Sequence, residues 1–227
     1  MNLVCALRAF LALSIVVSGS PSSAKPDCRD GARNVRIALL LPSGGVWPLS
    51  VASDYFDQRF IPADLGSRDG LLLRMQATDF SPWPRGIRPH ISEGLFMSYL
   101  LTYLQPFEVV ADWAARSESG HSILGTVELA QTPGPFGLTV LTVPPPKGKN
   151  YAGPLEEHDV YVAMDGQGST TDIIRCSRPG LTPYQLCEHM IETGEMDIEL
   201  TYAPEFLSDW ARLSAGAIEF LDCMKGK

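Results

Sequence analysis

Histidine is scarce in this chain. The four present, His90, His121, His158 and His189, include no pair at the i, i+4 spacing that sets two imidazoles on one helix face. That excludes the helix-borne zinc centre of metalloproteases. Cys-x-x-Cys is missing as well, and with it the tight ligand spacing of zinc ribbons. No Gly-rich loop precedes a helix in the way phosphate binding requires. No apolar run approaches the ~20 residues that cross a bilayer as a helix. Basic charge is short in the last third. Residues 25–149 carry 12 basic and 12 acidic side chains, whereas 150–227 carry 5 and 14. A net −9 over that segment repels nucleic acid and draws basic partners, acting mainly on association rate. Solubility alone is the other use of such a field.

The N-terminus has the three parts of a secretory signal. Arg8 is its only charge, Phe10–Val17 is apolar, and Ser18-Gly19-Ser20-Pro21 leads to Ser22-Ser23-Ala24, with small residues before a cut. Residues 1–24 therefore read as a cleavable signal peptide, and no membrane span is expected after its removal. Cys5 lies before the apolar run, and Cys28 follows Lys25-Pro26-Asp27, so neither fits a lipoprotein site. Export implies the periplasm. There Cys28, Cys176, Cys187 and Cys223 form an even set compatible with two disulfides in three pairings. Cys176–Cys187 flanks the loop Ser177–Leu186, so the two can face each other across neighbouring strands. Cys28–Cys223 would tie the N-terminal tail to the last helix. That combination is preferred, with a zinc site as the alternative for the same residues.

Pro/Gly-rich stretches at 132–137 and 144–154 punctuate the chain. Proline donates no ladder hydrogen bond, so neither stretch belongs inside a sheet. The second separates an N-terminal α+β part, 25–149, from a C-terminal part, 150–227. In the first part, strands are expected at Val35–Leu41, Leu71–Phe80, Phe107–Trp113, Ile123–Gln131 and Gly137–Val143. The last two form a hairpin. A short helix is expected at 50–60, and a second runs from an N-cap at Ser92 to Leu104. In the second part, His158–Met164, Thr171–Cys176, Cys187–Ile191 and Met196–Tyr202 form a meander. Gly194 supplies a positive-φ turn. A helix from Pro204 carries Phe206, Trp210, Leu213, Ala217, Phe220 or Leu221, and Met224 in steps of three and four. That stripe needs a sheet face to cover. The fold class is α+β: antiparallel sheet with a long C-terminal amphipathic helix on one face.

Catalytic patterns come close and fail. Gly120-His121-Ser122-Ile123-Leu124 lacks the second glycine of a nucleophile elbow, and a strand follows where the elbow needs a helix. Ser122 is thus read as part of a polar loop. Asp165-Gly-Gln-Gly168 lacks the spaced carboxylates and closing Glu of a calcium loop and reads as a hairpin turn. No cofactor and no enzymatic activity is expected. For partner contact the candidates are Trp47 and Trp83, proline-flanked aromatics in loops, with the carboxylates Glu156, Glu157 and Asp159. A loop folded back on the core is the competing role for both tryptophans.

Asp172-Ile-Ile-Arg-Cys176, Leu186-Cys-Glu-His189, Met196-Asp-Ile-Glu-Leu-Thr-Tyr202 and Phe206-Leu-Ser-Asp-Trp210 before a closing helix form a series. It resembles the periplasmic immunity proteins of type VI secretion effectors, in particular the partners of lipase effectors. Leu71-Leu-Leu-Arg-Met75 through Phe80-Ser-Pro-Trp83 is a fainter match. The motifs are structural, a cysteine pair and a helix start, so they report fold before function. The resemblance implies a stoichiometric, non-catalytic inhibitor that binds a cognate secreted effector and blocks substrate access. A generic envelope assembly or ligand-binding factor is the alternative reading, with a divergent hydrolase after it.

Signal cleavage is checked by intact mass. The exported protein is expected to begin at Lys25, and a mature chain retaining residues 1–24 contradicts the reading.

Overall fold

Alternation of apolar and polar residues decides most of the architecture, because successive strand side chains point to opposite faces. The computed structural model describes residues 27–29, 31, 33–56, 62–84, 94–100, 106–118, 128–144, 157–181 and 185–226. Residues 1–24, Ser92, Ser122 and Glu156 lie outside them. A small sheet comprises β1 (Asn34–Leu40), β2 (Val46–Ala52) and β3 (Asp64–Arg68) in the order β2-β1-β3. The large sheet contains β4 (Gly70–Gln76) and β5 (Gly94–Leu100). After the helix α1 (Phe107–Glu118) come β6 (Ala130–Pro133), β7 (Thr139–Thr142), β8 (His158–Met164) and β9 (Thr170–Ser177). β10 (Cys187–Glu192), β11 (Asp197–Tyr202) and the helix α2 (Trp210–Lys225) complete the chain. The eight strands run β4-β5-β11-β10-β9-β8-β7-β6. Every pairing within this sheet is antiparallel. The class is α+β. Four strands come from before residue 150 and four from after, so the two parts share one sheet.

The meander forms as alternation dictates. In β9, Asp172, Ile174 and Cys176 face one side and Ile173 the other. Its turn is closed by Asp165, whose carboxylate accepts from the amides of Gln167 (2.8 Å) and Ser169 (2.9 Å). Those bonds hold the carboxyl below its usual range. The Asp165 loop is therefore a hairpin turn built on its own side chain. Gly194 takes φ 79° in the next hairpin.

Four local expectations are corrected. The segment expected as a helix to Leu104 contains β5, paired with β4 on one side and β11 on the other. A short apolar run without alternation suits a central strand as well as a buried helix, and pairing on both edges decides it. Phe107–Trp113, expected as a strand, begins α1. Its inward residues are Phe107, Ala111, Ala114 and Ala115, a helical spacing rich in the best helix former. Of the helix expected at 50–60, residues 57–60 lie outside the described residues, and the rest is not helical as expected: β2 continues to Ala52 and a 3-10 turn, Ser53–Tyr55, follows. Trp47 accordingly stands in β2, opposite Leu39, rather than in a loop. At the C-terminus the helix expected from Pro204 is present, winding as 3-10 over Pro204–Asp209 before α2 starts at Trp210.

Each face of the large sheet has its own cover. On one side α2 presents Leu213, Ala217, Phe220, Leu221 and Met224 to a core shared with the small sheet. Full burial of each large side chain stabilises by roughly 1.5–3 kcal/mol. Phe220 meets Tyr55 edge-on at 4.9 Å. On the other side α1 packs on Leu141, Val160, Val162 and Ile173. Two disulfides close the structure, Cys28–Cys223 and Cys176–Cys187. In the chain-entropy picture the first, spanning 195 residues, contributes about 5 kcal/mol and the second, spanning 11, about 3.

Phe80 is held at φ 60°, strained for a residue with a side chain, and its buried ring lies against Gly216 of α2. A methyl at 216 would collide with that ring. Gly216→Ala is therefore expected to cost about 1–3 kcal/mol by overpacking. Urea unfolding tests this, and a midpoint at or above the parent's would contradict the packing.

Candidate functional site

The cysteine pairing sets a register that carries a polar cluster into the core. Cys176 opposite Cys187 places Ile174 opposite His189, with Asp172 one step diagonal on the same face. Cys187 also lies opposite Tyr202, which brings the third member alongside. Parity and the Cys176–Cys187 pair thus contain the signal for this cluster, although the motif search left His189 as a lone histidine.

His189 Nε2 is 2.8 Å from Asp172 Oδ1, and its Nδ1 is 3.2 Å from the Tyr202 hydroxyl. An ionised carboxylate only accepts, so Nε2–H donates to Asp172, while Nδ1 and the Tyr202 hydroxyl share the second hydrogen bond. Thr171 also donates to Asp172, at 2.8 Å. Burial pushes the Asp172 carboxyl up. The His189 hydrogen bond and charge, with the Ser214 and Thr171 hydroxyls, outweigh it and leave the carboxyl below its usual range. Burial and the Asp172 charge push the Tyr202 phenol far above its usual value.

An Asp–His pair suggests acid–base catalysis, but the geometry here serves packing. His189 and Tyr202 are wholly buried beneath α2. The Tyr202 phenol is held protonated and makes a poor nucleophile. Ser214 bonds Asp172 rather than the imidazole. Among the described residues no nucleophile reachable by a substrate adjoins the histidine. The cluster ties β9, β10 and β11 to α2.

The other candidates are dispersed. Trp47 is half-buried against the core, with the Lys225 ammonium 3.0 Å from its ring centroid. It anchors the end of α2. Trp83 is half-buried beside β4, its amide donating to the Arg74 carbonyl at 3.3 Å. Asp159, on β8, accepts from Arg178 Nε at 2.7 Å, while the neighbouring Glu157 is exposed and its carbonyl accepts the Arg178 amide. Five strand steps separate β4 from β8, about 24 Å at ~4.8 Å each, so Trp83 and Asp159 do not share a patch. His158 Nδ1 lies 3.5 Å from Arg175 Nη2. Among the described residues no group of three His, Cys, Asp or Glu is placed to hold a metal ion.

Sequence reasoning missed the tryptophan that the fold leaves outside. Trp113 is 66 % exposed on α1, and Val109, one turn earlier, is 53 % exposed. Beside them a cleft of about 320 Å³ opens between α1 and the β6–β8 end of the sheet. Glu108, Asp112 and Glu128 line it, with Arg116. Arg116 forks onto Asp112 at 2.6 and 2.9 Å, and Glu108 accepts from the Thr170 amide at 3.1 Å. The helical period reveals this surface once the segment is read as a helix.

Because the Asp172 carboxyl is lowered on folding, its stabilising contribution is complete above the unfolded aspartate value of about 4 and is lost as pH falls through the folded value. Asp172→Asn is therefore expected to flatten the fall in stability below about pH 4. Urea midpoints across pH 2–6 check it. Parallel curves for variant and parent would contradict the assignment.

No family model and no curated protein sequence matches the chain. Among solved structures it is similar to Smlt3025, an immunity protein of the Stenotrophomonas maltophilia type IV secretion system, with a TM-score of 0.57 and 17 % identity over 84 % of this chain and 93 % of that one. At that identity the likeness shows a shared fold, and its span of 84 % of the chain reaches beyond the C-terminal segment.

Proposed function

We propose that this chain is an exported immunity protein that binds a secreted toxic effector and inhibits it stoichiometrically, without catalysis of its own. The observation that carries this is the near full-length fold shared with an immunity protein of a secretion system. The C-terminal motif series adds independent support, because it resembles immunity proteins by residue pattern. The two supports differ on delivery: the motifs resemble type VI immunity proteins, and the fold neighbour serves a type IV system. What they have in common is an inhibitor of a delivered toxin. Within it, a type VI effector of the lipase class acting in the periplasm is the specific target we put forward.

Physical properties agree with such a role. Two disulfides suit an oxidising compartment. No described helix is long and apolar enough to cross a membrane. The acidic field of residues 150–227 would steer a basic partner.

Tagged protein covering residues 25–227, mixed with lysate of the producing cells, is expected to retain one dominant secreted hydrolase in a 1:1 complex of nanomolar affinity. Mass spectrometry identifies the partner. Lipid hydrolysis by that protein would support the lipase assignment, and a different activity would remove it. A clean bait, with secretion genes expressed, would overturn the immunity role.

A further inference from the structure

We infer that the outer face of α1, with the cleft beside it, is the surface on which the partner docks, and that the partner presents a lysine or arginine next to an apolar side chain. The proposal rests on the chain being a binding protein and names where it binds.

Val109 and Trp113 belong to neither core of the described residues. The core-facing side of α1 is complete with Phe107, Ala111, Ala114 and Ala115. At about 100° per residue, Glu108 and Asp112 follow around the helix, then Arg116, then Val109 and Trp113 on the outer side. The apolar pair therefore borders the rim of the cleft. Tryptophan is the residue type most enriched in binding hot spots. An exposed indole also accepts a cation on its face.

Charge selects the occupant. Glu108, Asp112 and Glu128 line the cleft, and Glu192 stands beside Glu108. Among the described lining residues three carboxylates face one guanidinium, that of Arg116, which is already bonded to Asp112. Burial, with the nearby charges of Glu108 and Asp197, pushes the Glu192 carboxyl up, so these groups repel one another in the free protein. A cation entering the cleft relieves that repulsion, and about 320 Å³ holds a long basic side chain. A second copy of this chain would bring the same carboxylates against themselves, which disfavours a dimer through this face.

The probe is the secreted protein encoded by the gene beside this one, purified and titrated against residues 25–227 by surface plasmon resonance. Trp113→Ala is expected to weaken binding at least about tenfold with an unchanged melting temperature. Glu128→Lys with Glu192→Lys should slow association about tenfold at low salt and flatten its salt dependence. Glu205→Lys, on the α2 side of the sheet, should change neither. Parent-like binding by both α1-side variants overturns the surface while leaving the immunity role intact. No binding by the unsubstituted chain overturns the role and the surface together. A dimer seen in sedimentation and lost in Trp113→Ala would assign the face to a second copy and overturn the proposal.

Discussion

An eight-stranded sheet exposes two broad faces, and the structure depends on how the larger of its two covers is held. α2 is that cover. Its apolar stripe enters a core common to both sheets, so a single helix joins β1 and β2 to β4, β10 and β11. Three devices keep it there. Cys28–Cys223 bonds its last turn to the N-terminal segment. Lys225 sits over the Trp47 ring of β2. Beneath its first turns, Ser214 reaches the Asp172 carboxylate of the buried cluster. Without the helix, Asp172 and His189 would need water, and the small sheet would keep only its direct contacts with β4.

This arrangement gives the buried Asp–His–Tyr chain a structural role in the core. A buried charge needs hydrogen-bonded partners. Asp172 receives them from His189, Thr171 and Ser214, on three different elements. The outcome is a sheet whose register is specified by polar bonding as well as by Cys176–Cys187. The rigid scaffold leaves the opposite face, partly covered by α1, to carry surface features the core does not require.

Much of this was legible in the amino-acid sequence, and the exceptions have physical causes. The meander β8–β11 was readable because each strand alternates and each turn carries its own chemistry in Asp165, Gly168 or Gly194. The α2 stripe was readable from Leu213 to Met224. The cysteine pairs were suggested by a loop bounded by two strands and by a tail facing a terminal helix. β5 was not readable, since Gly94–Leu100 lacks alternation and only pairing with β4 and β11 separates strand from helix. α1 was misread because Val109, Ala111 and Trp113 mimic a strand face, while the decisive residues Ala114 and Ala115 carry a weak hydrophobic signal. That error hid the candidate surface: Trp113 stands out only when the helical period puts it opposite Phe107. Trp47 and Trp83 drew notice through neighbouring prolines, yet both are half-buried.

An immunity protein of the kind proposed acts by occupying its target rather than by chemistry. Titrating the isolated partner's enzymatic activity with residues 25–227 and reading the end point tests this. Occupancy gives a linear fall to zero at one equivalent, fully reversed when the complex is separated. Loss of activity at a small fraction of an equivalent, increasing with time and surviving separation, would show turnover and contradict it.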